Sequence, residues 1–294
     1  MSDQFPTAFV KQYEGAIALR QQQMGSNLRG AVDSISGIRG DHVYFNQVSA
    51  TAMSPLGARH GDTVYTDTPH HRRRCPILPY TIADLIDDPD VIRSLGSPQN
   101  AYVQQFAAAA NRQIDDVVIA AFDATVATGV AGAGSDAFDS TNYEIAVDNS
   151  NLTTAKLRTA RKMLEEAENP EDNGDNQWFV VCSAEQREGL LGDSEFQNSD
   201  FNSVKALVDG SVNTWLGFTF LKSERLPVVT ATNVRSVFAW RKASMKLAFG
   251  AEPRGYIDRL PSKNHSVQVR HTVDVGAVRM DQVGVVRILC DEDL

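Results

Sequence analysis

Lysine is absent between Lys11 and Lys156, close to half of a chain of 294 residues. That stretch therefore has no amine nucleophile, and arginine, with its far higher pKa, cannot replace one. Cysteine is scarce as well. Cys75, Cys182 and Cys290 are odd in number, far apart and without a CxxC pair. A disulfide framework and a zinc ribbon are both disfavoured, and a reducing compartment is expected. No apolar run approaches the roughly 20 residues of a helical membrane span, and mean hydropathy is −0.27, so no membrane partner is expected. Met1-Ser2-Asp3-Gln4-Phe5-Pro6 shows no basic region leading into an apolar stretch, so no secretory signal is expected. Positive charge is in deficit. Lys and Arg number 28 against 37 Asp and Glu, a net charge of −9, the wrong sign for a chain whose main task is gripping a nucleic-acid backbone. The phosphate-binding GxxxxGK, the GxSxG nucleophile elbow and the HExxH zinc motif do not occur. With 42% hydrophobic and 22% charged residues, disordered and fibrous classes are excluded and an ordinary core is expected.

The first readable segment, residues 8–32, has a thin apolar stripe of Phe9, Tyr13, Ile17 and Leu28 interrupted by Gly25 and Gly30. It reads as a polar amphipathic helix that packs on something external. His42–Val48 and Asp62–Thr66 read as strands around the turn Ser54-Pro55-Leu56-Gly57. A two-stranded hairpin is marginal in water by itself, so this one is expected to lean on another chain. Ala83 to about Thr128 reads as helical: a short piece with Val91, Ile92 and Leu95, then a long helix opened by Ser97-Pro98 and closed by Gly129. About thirty residues give roughly 45 Å at the helical rise. Gly129–Gly134 follows that helix and reads as its flexible exit rather than a dinucleotide loop.

Residues 135–150 read as loop. A helix starts near Thr153, with Leu157, Ala160, Leu164 and Ala167 on one face and Lys156, Arg158, Arg161 and Lys162 on the other. A solvated acidic loop, Glu168–Asp175, precedes the buried strand Trp178–Cys182 and a helix capped by Ser183. Strands follow at 218–221, 228–229 and 236–240, and the tail from Ser266 to Cys290 is β-rich. Helix and strand mix without a βαβ rhythm, so the fold class is α+β.

The most charged cluster is His70-His71-Arg72-Arg73-Arg74-Cys75. Adjacent strand residues point to opposite sides, and no carboxylate or second cysteine stands at ligand spacing, so no metal, cofactor or catalytic residue is expected here. No interleaved aromatic residue serves base stacking. Downstream lie Asp84, Asp87, Asp88 and Asp90. A solvated face is one reading. The other is that the basic and acidic segments meet between copies, with Arg72, Arg73 and Arg74 as inter-subunit contacts for Asp87 or Asp88.

Several segments together are similar to the major capsid protein of tailed bacteriophages, the Hong Kong 97-type fold. Arg112-Gln113-Ile114-Asp115-Asp116 resembles that family's spine helix. Trp178 through Gln186 with Leu190-Leu191 resembles its strand followed by a short helix. Trp215-Leu216-Gly217-Phe218-Thr219-Phe220 resembles a strand of its second domain, and Gly276–Arg279 through Val285–Leu289 its closing strands. The resemblance implies an N-terminal arm over 1–36, an E-loop hairpin over 37–82 and a spine helix of the peripheral (P) domain over 83–134. It further implies an axial (A) domain over 135–250 and returning P-domain strands over 251–294.

It also implies an icosahedral shell of hexamers and pentamers enclosing double-stranded DNA without sequence-specific binding, in a virion assembled in the host cytoplasm. A motor pumps the genome in for this class, so an acidic shell protein is acceptable. A portal, a scaffolding protein that is separate or a removed segment, and in some cases a cement protein are the implied partners. Some family members weld subunits through an E-loop lysine. The lysine gap predicts that this chain does not. The alternatives are an encapsulin-like compartment shell, or a cytosolic enzyme with a site near His70–Arg74. Particle size separates either shell from the enzyme.

Overall fold

A computed structural model describes residues 22–55, 57, 59, 61–63, 65–87, 98–166, 177–192, 214–229 and 231–292. The strands are β1 (Asp33–Ile35), β2 (His42–Val48), β3 (His70–Pro76), β4 (Leu78–Ile86), β5 (Val126–Thr128), β6 (Gly134–Asp136), β7 (Glu144–Ile145), β8 (Trp178–Cys182), β9 (Thr214–Trp215), β10 (Phe218–Lys222), β11 (Val228–Val229), β12 (Val234–Arg241), β13 (Met245–Arg259), β14 (Val267–Arg279) and β15 (Val285–Asp291). The helices are α1 (Pro98–Asp123), α2 (Thr154–Glu166) and α3 (Ala184–Gly192). The chain forms two compact units. One comprises Met1–Gly25, Pro79–Gln113 and Glu252–Asp274, the other Ser26–Leu78, Ile114–Ala251 and Val275–Leu294.

The larger unit is built on a mixed sheet in the order β7-β15-β12-β8-β10-β9, with β11 beside β12. All five residues of β8 are buried, as the unbroken apolar run Trp178–Cys182 requires of a strand covered on both faces. Strands β8 and β10 pair in parallel, Phe218 opposite Trp178 through Lys222 opposite Cys182. The chain between them carries α3, so one βαβ crossover is present where none was expected. Ser183 opens α3 as anticipated, and Gln186 completes the cap by accepting the Ser183 backbone N–H at 2.9 Å. Helix α2 buries Leu157, Ala160 and Leu164. In the core Phe122 stacks on Phe238 with ring centroids 4.8 Å apart and tilts against Trp240 at 4.7 Å. Three such rings remove several hundred Å² from water, worth several kcal/mol at about 25 cal/mol per Å². A second sheet, β2-β3-β5-β6, carries the hairpin.

In the smaller unit β4 is the outer strand next to β14. Ile86, Phe106 and Val269 form its buried cluster, with Tyr102 and Val103 against them. The alternation expected near Ser266 holds: Val267, Val269, His271 and Val273 are buried.

Several expectations fail for identifiable reasons. The hairpin's returning strand is the basic segment His70–Pro76. Among the described residues of Asp62–Thr66 there is no strand, because β propensity without an apolar face to bury does not hold a ladder. Ala83–Ile86 belongs to β4, not to a helix. The long helix ends at Asp123 after 26 residues, about 39 Å at the helical rise. Val126–Thr128 then forms an antiparallel pair with β6. Gly129–Gly134 is therefore a hairpin turn, not a helix exit. Gly129 and Gly132 have φ of 88° and 70°, which only glycine adopts without cost. The expected loop over 135–150 contains the end of β6 and β7.

Of the amphipathic helix expected over 8–32, residues 22–28 are irregular and Arg29–Ala31 is a single 3-10 turn. The rest, the Val91–Leu95 helix, the Ser97 cap and the Glu168–Asp175 loop lie outside the described residues.

Candidate functional site

Strands β2 and β3 run antiparallel in full register, His42 opposite Pro76 through Val48 opposite His70. Strand parity sorts the cluster, since alternate residues share a face. Cys75, at the inner end, is buried among Ile77, Val126, Ala248, Val278 and Met280. Arg73 shares its face. Its guanidinium reaches Asp136 at 2.6 Å, with Arg73 side-chain exposure of only 11%, and Nη1 donates to the Arg279 carbonyl oxygen at 3.2 Å. Asp136 also accepts from Gln282. One of the three expected inter-subunit arginines is thus held within its own chain.

Arg72 and Arg74 lie on the other face. Arg72 Nε donates to Asn46 Oδ1 at 2.8 Å, and the guanidinium sits 5.6 Å over the Tyr44 ring. Arg74 makes no ion pair among the described residues, and its side chain passes Gly132, where a Cβ would stand 3.0 Å from Cδ. His70 and His71 are both exposed and, as neighbours in a strand, face opposite ways. Asp87 accepts from the Ser266 hydroxyl at 2.5 Å, and Asp88 lies outside the described residues. At the loop end of the β2–β3 ladder a groove of about 770 Å³ is lined by Gln47, His70, His71, Arg73, Ser135 and Asp136, among others. Cationic and carboxylate groups both face it, which suits a polar protein surface better than a free phosphate. Among the described residues no cluster of His, Cys, Asp and Glu is arranged to hold a metal.

Sequence reasoning missed the anchor that Asp115 provides for residues 26–28. Asp115, fully buried, accepts from the Ser26 hydroxyl at 2.5 Å and from the backbone N–H groups of Asn27 at 3.0 Å and Leu28 at 3.1 Å. Trp240 Nε1 donates to the Ala31 carbonyl at 2.9 Å. In the other unit Arg112 Nη1 donates to Gln22 Oε1 at 2.8 Å and to the Gln23 carbonyl at 3.1 Å. Asp116 forms a bidentate pair with Arg225. Helical phase alone predicts that one of two adjacent aspartates turns inward, but not that a chain segment waits there.

Lys156 was expected on the helix face opposite Leu157, Ala160 and Leu164. It is buried instead, and Nζ donates to the carbonyls of Val147, Ser150 and Leu289 at 2.8, 2.7 and 2.9 Å. Burial lowers its pKa below the ordinary lysine value. The three cysteines are buried free thiols, each pushed up to about 12 by burial. They are packing residues rather than nucleophiles.

A sequence profile described as phage capsid protein matches residues 5–292. No curated protein sequence matches. Among solved structures, a chain of the head structure of Helicobacter pylori bacteriophage KHP40 is 11% identical with a TM-score of 0.77, covering 100% of this chain and 99% of that one. The Cyanophage Pam1 capsid asymmetric unit gives 15% identity and 0.73, covering 97% of both chains. Mycobacterium phage Che8 gives 16% and 0.68, covering 97% and 98%. At such identities the structural likeness speaks for the fold, while the profile spans nearly every residue. The chain belongs to the phage capsid protein family.

Proposed function

We propose that this chain assembles with copies of itself into the icosahedral head shell of a tailed bacteriophage, enclosing double-stranded DNA. The observation that carries the reading is the profile match over residues 5–292. The hairpin is compatible with it: Met53 and Tyr65, in the connection between β2 and β3, are 100% and 90% exposed and present apolar surface to a neighbouring molecule. In this reading residues 1–36 are the N-arm, 37–82 the E-loop, and 83–134 with 251–294 the P domain, and 135–250 form the A domain. Arg72 and Arg74 meet carboxylates of a neighbouring subunit, with Asp87 and Asp88 as partners, while Arg73 fixes the hairpin base to its own chain. The net charge of −9 suits a shell filled by a motor through a separate portal, built on a separate scaffolding protein and assembled in the host cytoplasm.

Neither the encapsulin-like nor the enzyme reading draws support from these observations. Sedimentation velocity and negative-stain microscopy of the purified chain test the proposal. Rings or megadalton shells are expected, and a sharp monomer at all concentrations refutes it.

A further inference from the structure

Among the described residues, five of the seven outer strands of the three sheets are very short. Strands β7, β9 and β11 have two residues, and β1 and β6 have three. The other two are long. Strand β4 has nine residues and β2 has seven, and among the described residues each is hydrogen-bonded on one side only. Short outer strands are the usual protection against unwanted pairing, and a long exposed one is a template for another strand. Strand β4 leaves Leu78, Ile82 and Leu85 exposed at 53%, 37% and 40%, and β2 leaves Val48 at 56%. Pro79 removes one N–H near the start of β4 and leaves the rest of that edge able to pair. Beside β4 a groove of about 270 Å³ runs past Thr81, Ile82, Ala109, Ala110 and His271. The buried His271 Nδ1 there has no hydrogen-bond partner among the described residues.

Charge selects which edges meet. Residues 77–87, which contain β4, carry Asp84 and Asp87 and no basic residue. Strand β2 has no acidic residue and is backed by β3, with His70 through Arg74 and no acid. An acidic edge meeting its own copy is repelled, whereas the basic hairpin and the acidic edge attract. We infer that the free edge of β2 in one copy adds to the free edge of β4 in a second copy, extending the sheet across the subunit boundary. This rests on the self-assembly reading and gives it a mechanism. The contact uses two different surfaces, so it is heterologous, and repeated by rotation it closes into rings.

The test uses the full chain in three forms beside the wild type: Arg72→Glu with Arg74→Glu, Asp84→Arg with Asp87→Arg, and all four changes together. Folding of each is checked by circular dichroism and assembly by sedimentation velocity. Each pair alone should lower the yield of rings and shells by about tenfold or more, and the fourfold exchange should restore it. Wild-type assembly with folded paired variants that assemble equally well overturns the inference alone, as does a folded fourfold variant that fails to recover. An unfolded variant is replaced by Ile82→Lys, which blocks the same edge through an exposed side chain and should lower yield alike. Undiminished yield from Ile82→Lys overturns the inference. A wild-type chain that never assembles overturns the self-assembly reading itself, and this inference with it.

Discussion

Asp115→Ala should uncouple residues 26–28 from the helix, and its neighbour supplies the control. Asp115 holds the Ser26 hydroxyl and two backbone amides at 2.5–3.1 Å from full burial. Hydrogen bonds to a charged acceptor contribute about 1.5–3 kcal/mol each. The loss is smaller than their sum, because the exposed Asn27 regains water once released. About 2–4 kcal/mol is expected, or roughly 3–6 °C in Tm for a chain of this size. Asp116→Ala, one residue on, removes a bidentate pair whose side chains are 31% and 37% exposed. Screened pairs of that kind are worth about 0–1 kcal/mol. Calorimetry of both variants with hydrogen exchange at the Leu28 amide makes the comparison. Equal shifts in Tm, or an unchanged Leu28 exchange rate in Asp115→Ala, would refute the clasp.

Lys156→Met should lower the urea midpoint with an unchanged m-value, by about 2–4 kcal/mol, because three buried carbonyls lose their donor; a midpoint equal to wild type would count against it. Glu292 titrates low: burial works to raise its pKa, but hydrogen bonds from Arg235 and Gln186 outweigh burial and hold it below the usual carboxylate range. Its stabilisation is therefore complete above the ordinary glutamate value and lost as pH falls through the folded-state value, so Glu292→Gln should narrow the gap between denaturation midpoints at about pH 7 and about pH 3. Mature particles should run as one band at the monomer mass in denaturing electrophoresis, since no lysine stands between Lys11 and Lys156. A ladder that survives boiling in reductant would overturn that.

The sequence by itself determined the elements whose residues bury a face on their own account. The run Trp178–Cys182, the stripe Leu157–Ala160–Leu164 and the alternation from Val267 onward are each legible because apolar spacing repeats with the period of the element. It also determined the lysine gap, which needs no structure, and the order of segments that carries the family likeness.

What only the tertiary structure decided is which polar group meets which. Parity along β3 splits the arginines into two faces, but that Arg73 is the one held depends on β6 bringing Asp136 to it from 63 positions away in the chain. Lys156 reads as a surface charge until the turn at Val147–Ser150 and the edge of β15 close over it, and Asp115 reads as any helical aspartate until Ser26–Leu28 is laid against it. Strand β4 likewise looks helical in composition, and its pairing with β14 decides the matter. Hydrophobic burial is non-directional and is written into local spacing. A hydrogen bond or ion pair needs a partner within about 3 Å, and only the folded chain supplies that coincidence.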